Sequence, residues 1–311
     1  MHVVIPFALS DDPACRQAAQ ALKLPVLQQL LQVLSPVSHT DSPPSGGALA
    51  HEHLKANAWG LPLSAGYAWA ALEAAQQGLD ATQAWAYVTP CHWQVGQASV
   101  IMGHPGDLQL QAQELDALRS VMQDFFAEDG ITLHAAPGQS HWLASGEVFR
   151  HLQTAPLARA IGRDVSPWLP PSDLLRRLQN EMQMLFYTHP VNDARSQARA
   201  WTVNSVWFSD SGALHRDMPV NLRAQAADWR LADDLQDAAL HSNWSAWQQS
   251  WESLDAALLP TLLQESTEGP VRLSLCSEDR VLTLSNEPRP WWHRVRQRMS
   301  PPGLKTIWNA L

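Results

Sequence analysis

Cysteine is scarce: Cys15, Cys91 and Cys276 are the only three, far apart and odd in number. That excludes a disulfide framework and a zinc knuckle, both of which need clustered thiols. No stretch runs to eighteen uninterrupted apolar residues, so a membrane span is not expected. Charged residues make up only 16% of the chain, and the formal balance is acidic at -9. A general phosphate-backbone binder needs the opposite sign, so nucleic acid is not an expected partner. The opening MHVVIPFALSDD has neither the basic head nor the long apolar run of a signal peptide. The expectation is a cytoplasmic protein.

Tryptophan, by contrast, is plentiful, with fifteen in 311 residues. Indole buries a large apolar area, but its N–H needs an acceptor. Trp244, Trp247 and Trp251 recur at three and four, which reads as the packing face of a helix. Stacking on a base or ring is the alternative. The length allows one large domain or two modest ones. The reading adopted is a single α/β unit over 1–311, with a flexible insertion at 35–47 and a C-terminal packing region at 241–311.

Along the chain, Val3 to Leu9 suits a buried strand. Ser10-Asp11-Asp12-Pro13 then looks like a capped helix start, with a metal at the strand end as the alternative. Leu24, Leu27, Leu30, Leu31 and Leu34 form a helical stripe that Pro25 restarts. SPVSHTDSPPSGG, from Ser35 to Gly47, reads as a loop. His51 and His53 would point about 200° apart on a helix, which disfavours a shared metal. Trp85 to Thr89 is strand-like and delivers Cys91-His92-Trp93 to its end. Neighbouring side chains on a strand face opposite ways, so Cys91 and His92 are no catalytic pair. His92 stands as a polar-site candidate on its own.

Leu108 to Phe126 predicts a helix, followed by short strands at Ile131 to Ala135 and from His141. Arg163 beside Gly162 could clamp an anion or serve a surface ion pair. Leu174, Leu175, Leu178, Met182 and Leu185 make another helical stripe, with Glu181 at its edge. Asp217 to Leu240 reads as helical with an acidic face at Asp228, Asp233, Asp234 and Asp237. Val271 to Leu275 and Val281 to Leu284 read as a hairpin. A mixed tail carries Trp291, Trp292, Arg294, Arg296 and Arg298. The fold class expected is α/β, a mixed sheet flanked by helices.

Polar groups gather beside apolar surface in Glu181 to Gly212, EMQMLFYTHPVNDARSQARAWTVNSVWFSDSG. A helix end, a polar break at His189 to Asp193, a strand and a glycine turn follow one another. That order commonly builds a ligand site in an α/β protein. Asn192 and Asn204 could line a polar pocket or anchor loop backbone. His189, and His215 with Arg216 further on, could add to its rim.

The chain resembles the bacterial RpfE-type regulatory proteins, a family often labelled cofactor-independent phosphoglycerate mutase. EMQMLFYTHPVN at Glu181 to Asn192 and VNSVWFSDSG at Val203 to Gly212 carry the resemblance. The second motif is also similar to the N-x-x-W-x-x-G-x-G region of the mutases, which belong to the alkaline phosphatase superfamily. Asp210 stands where that pattern has glycine. The resemblance implies an alkaline-phosphatase-like fold and, in active mutases, a serine nucleophile between two metal sites. Yet this chain has no Asp-His dipeptide, and Asp11 and Asp12 lack a following glycine. Phosphoryl transfer needs metals or several cations. The reading is therefore a non-catalytic or regulatory relative with no predicted cofactor and a pocket for a small anion or phosphorylated metabolite. Its candidate ligand residues are His92, Arg163, Glu181, His189, Asn192 and Asn204. The alternative is a mutase interconverting 2- and 3-phosphoglycerate with a divalent metal such as manganese.

Overall fold

Val3, Val4 and Ile5 are fully buried in the strand His2–Ile5, as their apolar run predicts. The computed structural model describes residues 1–41, 47–61, 66–214, 229–287 and 303–311. These fall into two compact units, the first holding 1–41, 49–61, 229–287 and 303–311, the second 47–48 and 66–214. His215, Arg216, Asp228 and the tail from Trp291 to Arg298 lie outside the described residues. No helix among those described is long and apolar enough to cross a membrane.

The first unit is built on a five-stranded mixed sheet. Its strand His2–Ile5 runs parallel to Arg272–Cys276 on one side and to Trp229–Leu231 on the other. Arg272–Cys276 and Arg280–Ser285 form the expected antiparallel hairpin. Ser35–Asp41 then pairs antiparallel with Arg280–Ser285, which corrects the loop expected there. Proline and serine argue against a central strand, but an edge strand pairs on one side only and tolerates Pro36. The register shift between Thr283 and Leu284 accommodates the irregularity. Trp229–Leu231 is likewise a strand, and among the described residues of the expected acidic helix, those from 229 to 240, Gln236–Leu240 is the helical part. Pairing with a buried parallel neighbour overrides local composition.

Helices complete this unit. Asp12 caps Pro13–Ala21, accepting from the Ala14 N–H at 2.7 Å, with proline at the first position. Leu24 offers Pro25–Val33 no capping side chain. The buried carboxylate of Asp255 does so instead, accepting from the N–H groups of Val26 at 3.1 Å and Leu27 at 2.8 Å. Asp255 sits on Trp244–Ala257, whose buried Trp247 and Trp251 donate to the carbonyls of Phe7 and Ala8 at 2.9 and 3.3 Å. Both indoles are thus packed and satisfied, as the helical spacing predicts.

The second unit has a four-stranded antiparallel sheet in the order Thr132–Ala135, Trp142–Ser145, Ala84–Cys91, Ser205–Ala213. One face sets Ala86, Val88, Val206 and Phe208 into a core with Met122 and Phe126 of the helix Ala112–Glu128 and Met182 and Phe186 of the helix Asp173–Tyr187. On the other face Trp85 and Leu143 meet Ala70, Ala71 and Ala74 of the helix Trp69–Gln76. Alanines let that helix come close. Gly212 takes φ +149°, and a Cβ there would lie 2.8 Å from the Ala68 Cβ. Across the sheet Tyr87 pairs with Ser209 and Trp85 with Gly212, so Asp210 and Ser211 together face Ala86. This is a β-bulge, and Asp210 holds φ +55° within it. Aspartate is among the few residues that tolerate the left-handed region, which lets Asp210 hold the bulge. The fold is therefore mixed α/β, with sheets flanked by helices.

Candidate functional site

Three constellations gather polar groups: the stretch around Asn192, an acid–base cluster on the second unit's sheet, and a cavity in the first unit.

The stretch begins with the helix Asp173–Tyr187, capped by the Ser172 hydroxyl on the Leu175 N–H at 3.4 Å. Pro190 then starts a second helix, Pro190–Gln197, where a polar break is expected from sequence. Proline suits a first helical position, and His189 caps that helix by accepting from the Val191 N–H through Nδ1 at 3.2 Å. Burial lowers the His189 pKa, and Asp193 opposes this in part. Asn192 is buried. Its Nδ2 donates to the carbonyls of Phe186 at 2.8 Å and Val203 at 2.6 Å, while Oδ1 accepts from the Val203 N–H at 2.9 Å. Asn204 makes a two-point clamp on Trp93, accepting from its N–H at 2.6 Å and donating to its carbonyl at 2.8 Å. Arg195, also buried, donates to the Trp201 carbonyl at 2.6 Å and to Glu114 at 2.9 Å. These groups tie helix ends to strand ends.

His92 belongs to the same junction. Its Nδ1 lies 2.7 Å from the Thr202 carbonyl and its ring meets Trp201 edge-on at 4.7 Å. A carbonyl only accepts, so Nδ1 carries the proton and Nε2 is the acceptor of the neutral ring. The ring borders a hollow of about 60 Å³ shared with Gln94, Gly103 and Trp201. That is the scale of one or two waters. Glu181 pairs with Arg177 at 3.6 Å on the helix surface. Arg163 is exposed, and its backbone is bonded to Ala160 and Met102. The structure thus joins His92, Asn192 and Asn204 through residues 201–204.

The second constellation escaped sequence reasoning. Tyr87 donates to Glu73 at 2.8 Å, and Gln77 donates to the other oxygen at 3.0 Å. His141 Nε2 lies 3.4 Å from that same oxygen and its ring sits 4.4 Å from Tyr87. Burial alone would raise the Glu73 pKa, but bonds from His141, Tyr87 and Gln77 outweigh it and hold the carboxyl low. Burial and the charges of Glu73 and Asp210 push the Tyr87 phenol up. The three cysteines also hold their protons: burial raises Cys15 to about 11 and drives Cys91 and Cys276 further up. None is a ready thiolate.

The third constellation is the roomiest. A cavity of about 540 Å³ opens in the first unit between Pro13–Ala21, Pro25–Val33 and the helix Leu304–Ala310. Leu9, Leu22, Leu304 and Trp308 supply its apolar wall. Arg16, Gln20, Gln28, Lys305 and Asn309 supply polar groups, and no carboxylate is among the described lining residues. Sequence reasoning singled out none of these polar residues. They come from opposite ends of the chain, and nothing local announces that they meet.

No family model matches the chain, and no curated protein does. Among solved structures it is similar to the PH0037 protein from Pyrococcus horikoshii, at 11% identity over 91% of this chain and 86% of that one, with a TM-score of 0.47. It is also similar to a cofactor-independent phosphoglycerate mutase from Thermoplasma acidophilum DSM 1728, at 12% identity over 91% and 89%, with a TM-score of 0.36.

Proposed function

We propose that the chain is a non-catalytic, RpfE-type relative of the cofactor-independent phosphoglycerate mutases that binds a small phosphorylated metabolite or other anion. The cavity of about 540 Å³ in the first unit carries this reading. Its size is that of a small-molecule site, and its wall mixes apolar surface with two cations and three amides. Binding needs only ground-state contacts of this kind, whereas catalysis needs groups whose contacts strengthen in the transition state. The motif that carries the family resemblance supports the non-catalytic part. Its Asn192 and Asn204 hold backbone, and its Asp210 adds negative charge where a phosphate would need compensation.

Thermal unfolding of the full chain tests the reading, with inorganic phosphate, 3-phosphoglycerate and phenyl phosphate added in turn. At least one should raise Tm in a concentration-dependent way, as mass action requires. Gln28→Trp, which fills the cavity from an exposed position, should abolish the rise. No rise with any probe, or a rise that survives Gln28→Trp, overturns the binding site. Formation of 2-phosphoglycerate from 3-phosphoglycerate in the presence of manganese overturns the non-catalytic part.

A further inference from the structure

We infer that the cavity takes an amphipathic organic anion, with one anionic group at Lys305 and a flat apolar body along Leu9, Leu22 and Trp308. The inference rests on the binding function proposed above and narrows its ligand class. Volume comes first. A three-carbon phosphate would leave most of about 540 Å³ to water and would set its charge beside an apolar wall it cannot cover. An apolar body fills that volume in contact with Leu9, Leu22 and Trp308, which are themselves buried, and so gains by packing and shape.

Charge sets the number of anionic groups. Among the described residues two cations line the cavity, Arg16 and Lys305. Arg16 already donates to Asp11 at 2.6 Å, so its charge is compensated. Lys305 lies on the exposed side of its helix with no ion pair among the described residues. One uncompensated cation matches one anionic group better than a multiply charged metabolite. Gln20, Gln28 and Asn309 can each donate and accept, which suits polar edges on the ligand without demanding further charge. Trp308 forms the flat part of the wall, held edge-on to Trp251 at 5.6 Å. Its indole N–H is buried with no acceptor among the described residues, an uncommon state for such a donor.

The test uses two fluorescent probes. 8-Anilinonaphthalene-1-sulfonate joins a sulfonate to a flat apolar body, and N-phenyl-1-naphthylamine is the same body without the charge. Each is titrated against the full chain, with 3-phosphoglycerate as a competitor. The sulfonate should bind at one site per chain, about tenfold more tightly than the uncharged probe. Lys305→Gln, an exposed substitution that leaves the core alone, should erase that advantage and leave the uncharged probe unaffected. 3-Phosphoglycerate should not displace the sulfonate at matched concentration. Equal affinities with a silent Lys305→Gln reject the anionic group while leaving the cavity a binding site. Displacement by 3-phosphoglycerate rejects the apolar body and leaves the small-anion reading. Failure of both probes to bind, or binding that Gln28→Trp leaves unchanged, rejects the cavity and the proposed function with it.

Discussion

Asn192 and Asn204 show how one residue type serves the fold at two depths. The Asn192 amide is buried and makes three hydrogen bonds, to Phe186 and to both backbone groups of Val203. Asn204 is half-buried and makes two through its side chain, both to Trp93. Leaving a buried donor or acceptor unpaired costs about 1–3 kcal/mol per group, less where water can reach it. Asn192→Ala should therefore destabilise the chain by about 3 kcal/mol, and Asn204→Ala by about 1 kcal/mol, in urea unfolding. Equal costs for the two would show that burial does not set the difference.

At the scale of elements, a helix that lacks its own cap borrows one. Pro25–Val33 begins after Leu24, so its first N–H groups have no local acceptor. Asp255 reaches Val26 and Leu27 from a helix more than two hundred residues further on. A carboxylate at a helix N-terminus also meets the favourable end of the helix dipole. Asp255→Ala should cost about 2 kcal/mol, and Asp255→Asn, which keeps an acceptor, distinctly less. Comparing their urea midpoints checks this. A matching loss in both would mean that the side chain's volume, not its oxygen, holds the helix start.

For the molecule as a whole, His2 and Glu73 both tie stability to the acid side. Burial lowers the His2 pKa from 6.5 to about 4, with Arg272 adding to the effect. Its ring lies 2.8 Å from the Ser274 hydroxyl within the sheet. A histidine whose folded pKa is depressed binds fewer protons folded than unfolded. Its contribution is fully present above about 6.5 and is lost as the pH falls towards about 4. Glu73 acts in the same sense further down: its depressed pKa supports the fold above the ordinary carboxyl range, and that support goes as the carboxyl protonates. Stability should therefore fall in two stages on acidification. His2→Gln should flatten the first and Glu73→Gln the second, read from urea midpoints across pH. A single acid step unchanged by either variant would contradict this.

Sequence alone determined the features that depend on neighbours in the chain. Apolar spacing predicts the helix under Leu175, Leu178 and Met182 and the packing face of Trp247 and Trp251. Asp12 before Pro13 predicts a capped start, and two apolar runs around SEDR predict the hairpin. Each is a local matter of period, cap or turn. Tertiary structure decided the rest. Ser35–Asp41 and Trp229–Leu231 are strands because sheet edges and a buried neighbour were there to receive them. Asn204 meets Trp93 from 111 residues away, and the cavity joins Arg16 and Gln28 to Lys305. An amide or a lysine looks alike in sequence whether it faces water, backbone or a ligand. Only the partner that folding brings to it sets its role, because hydrogen bonds and charges act across space over a few ångströms.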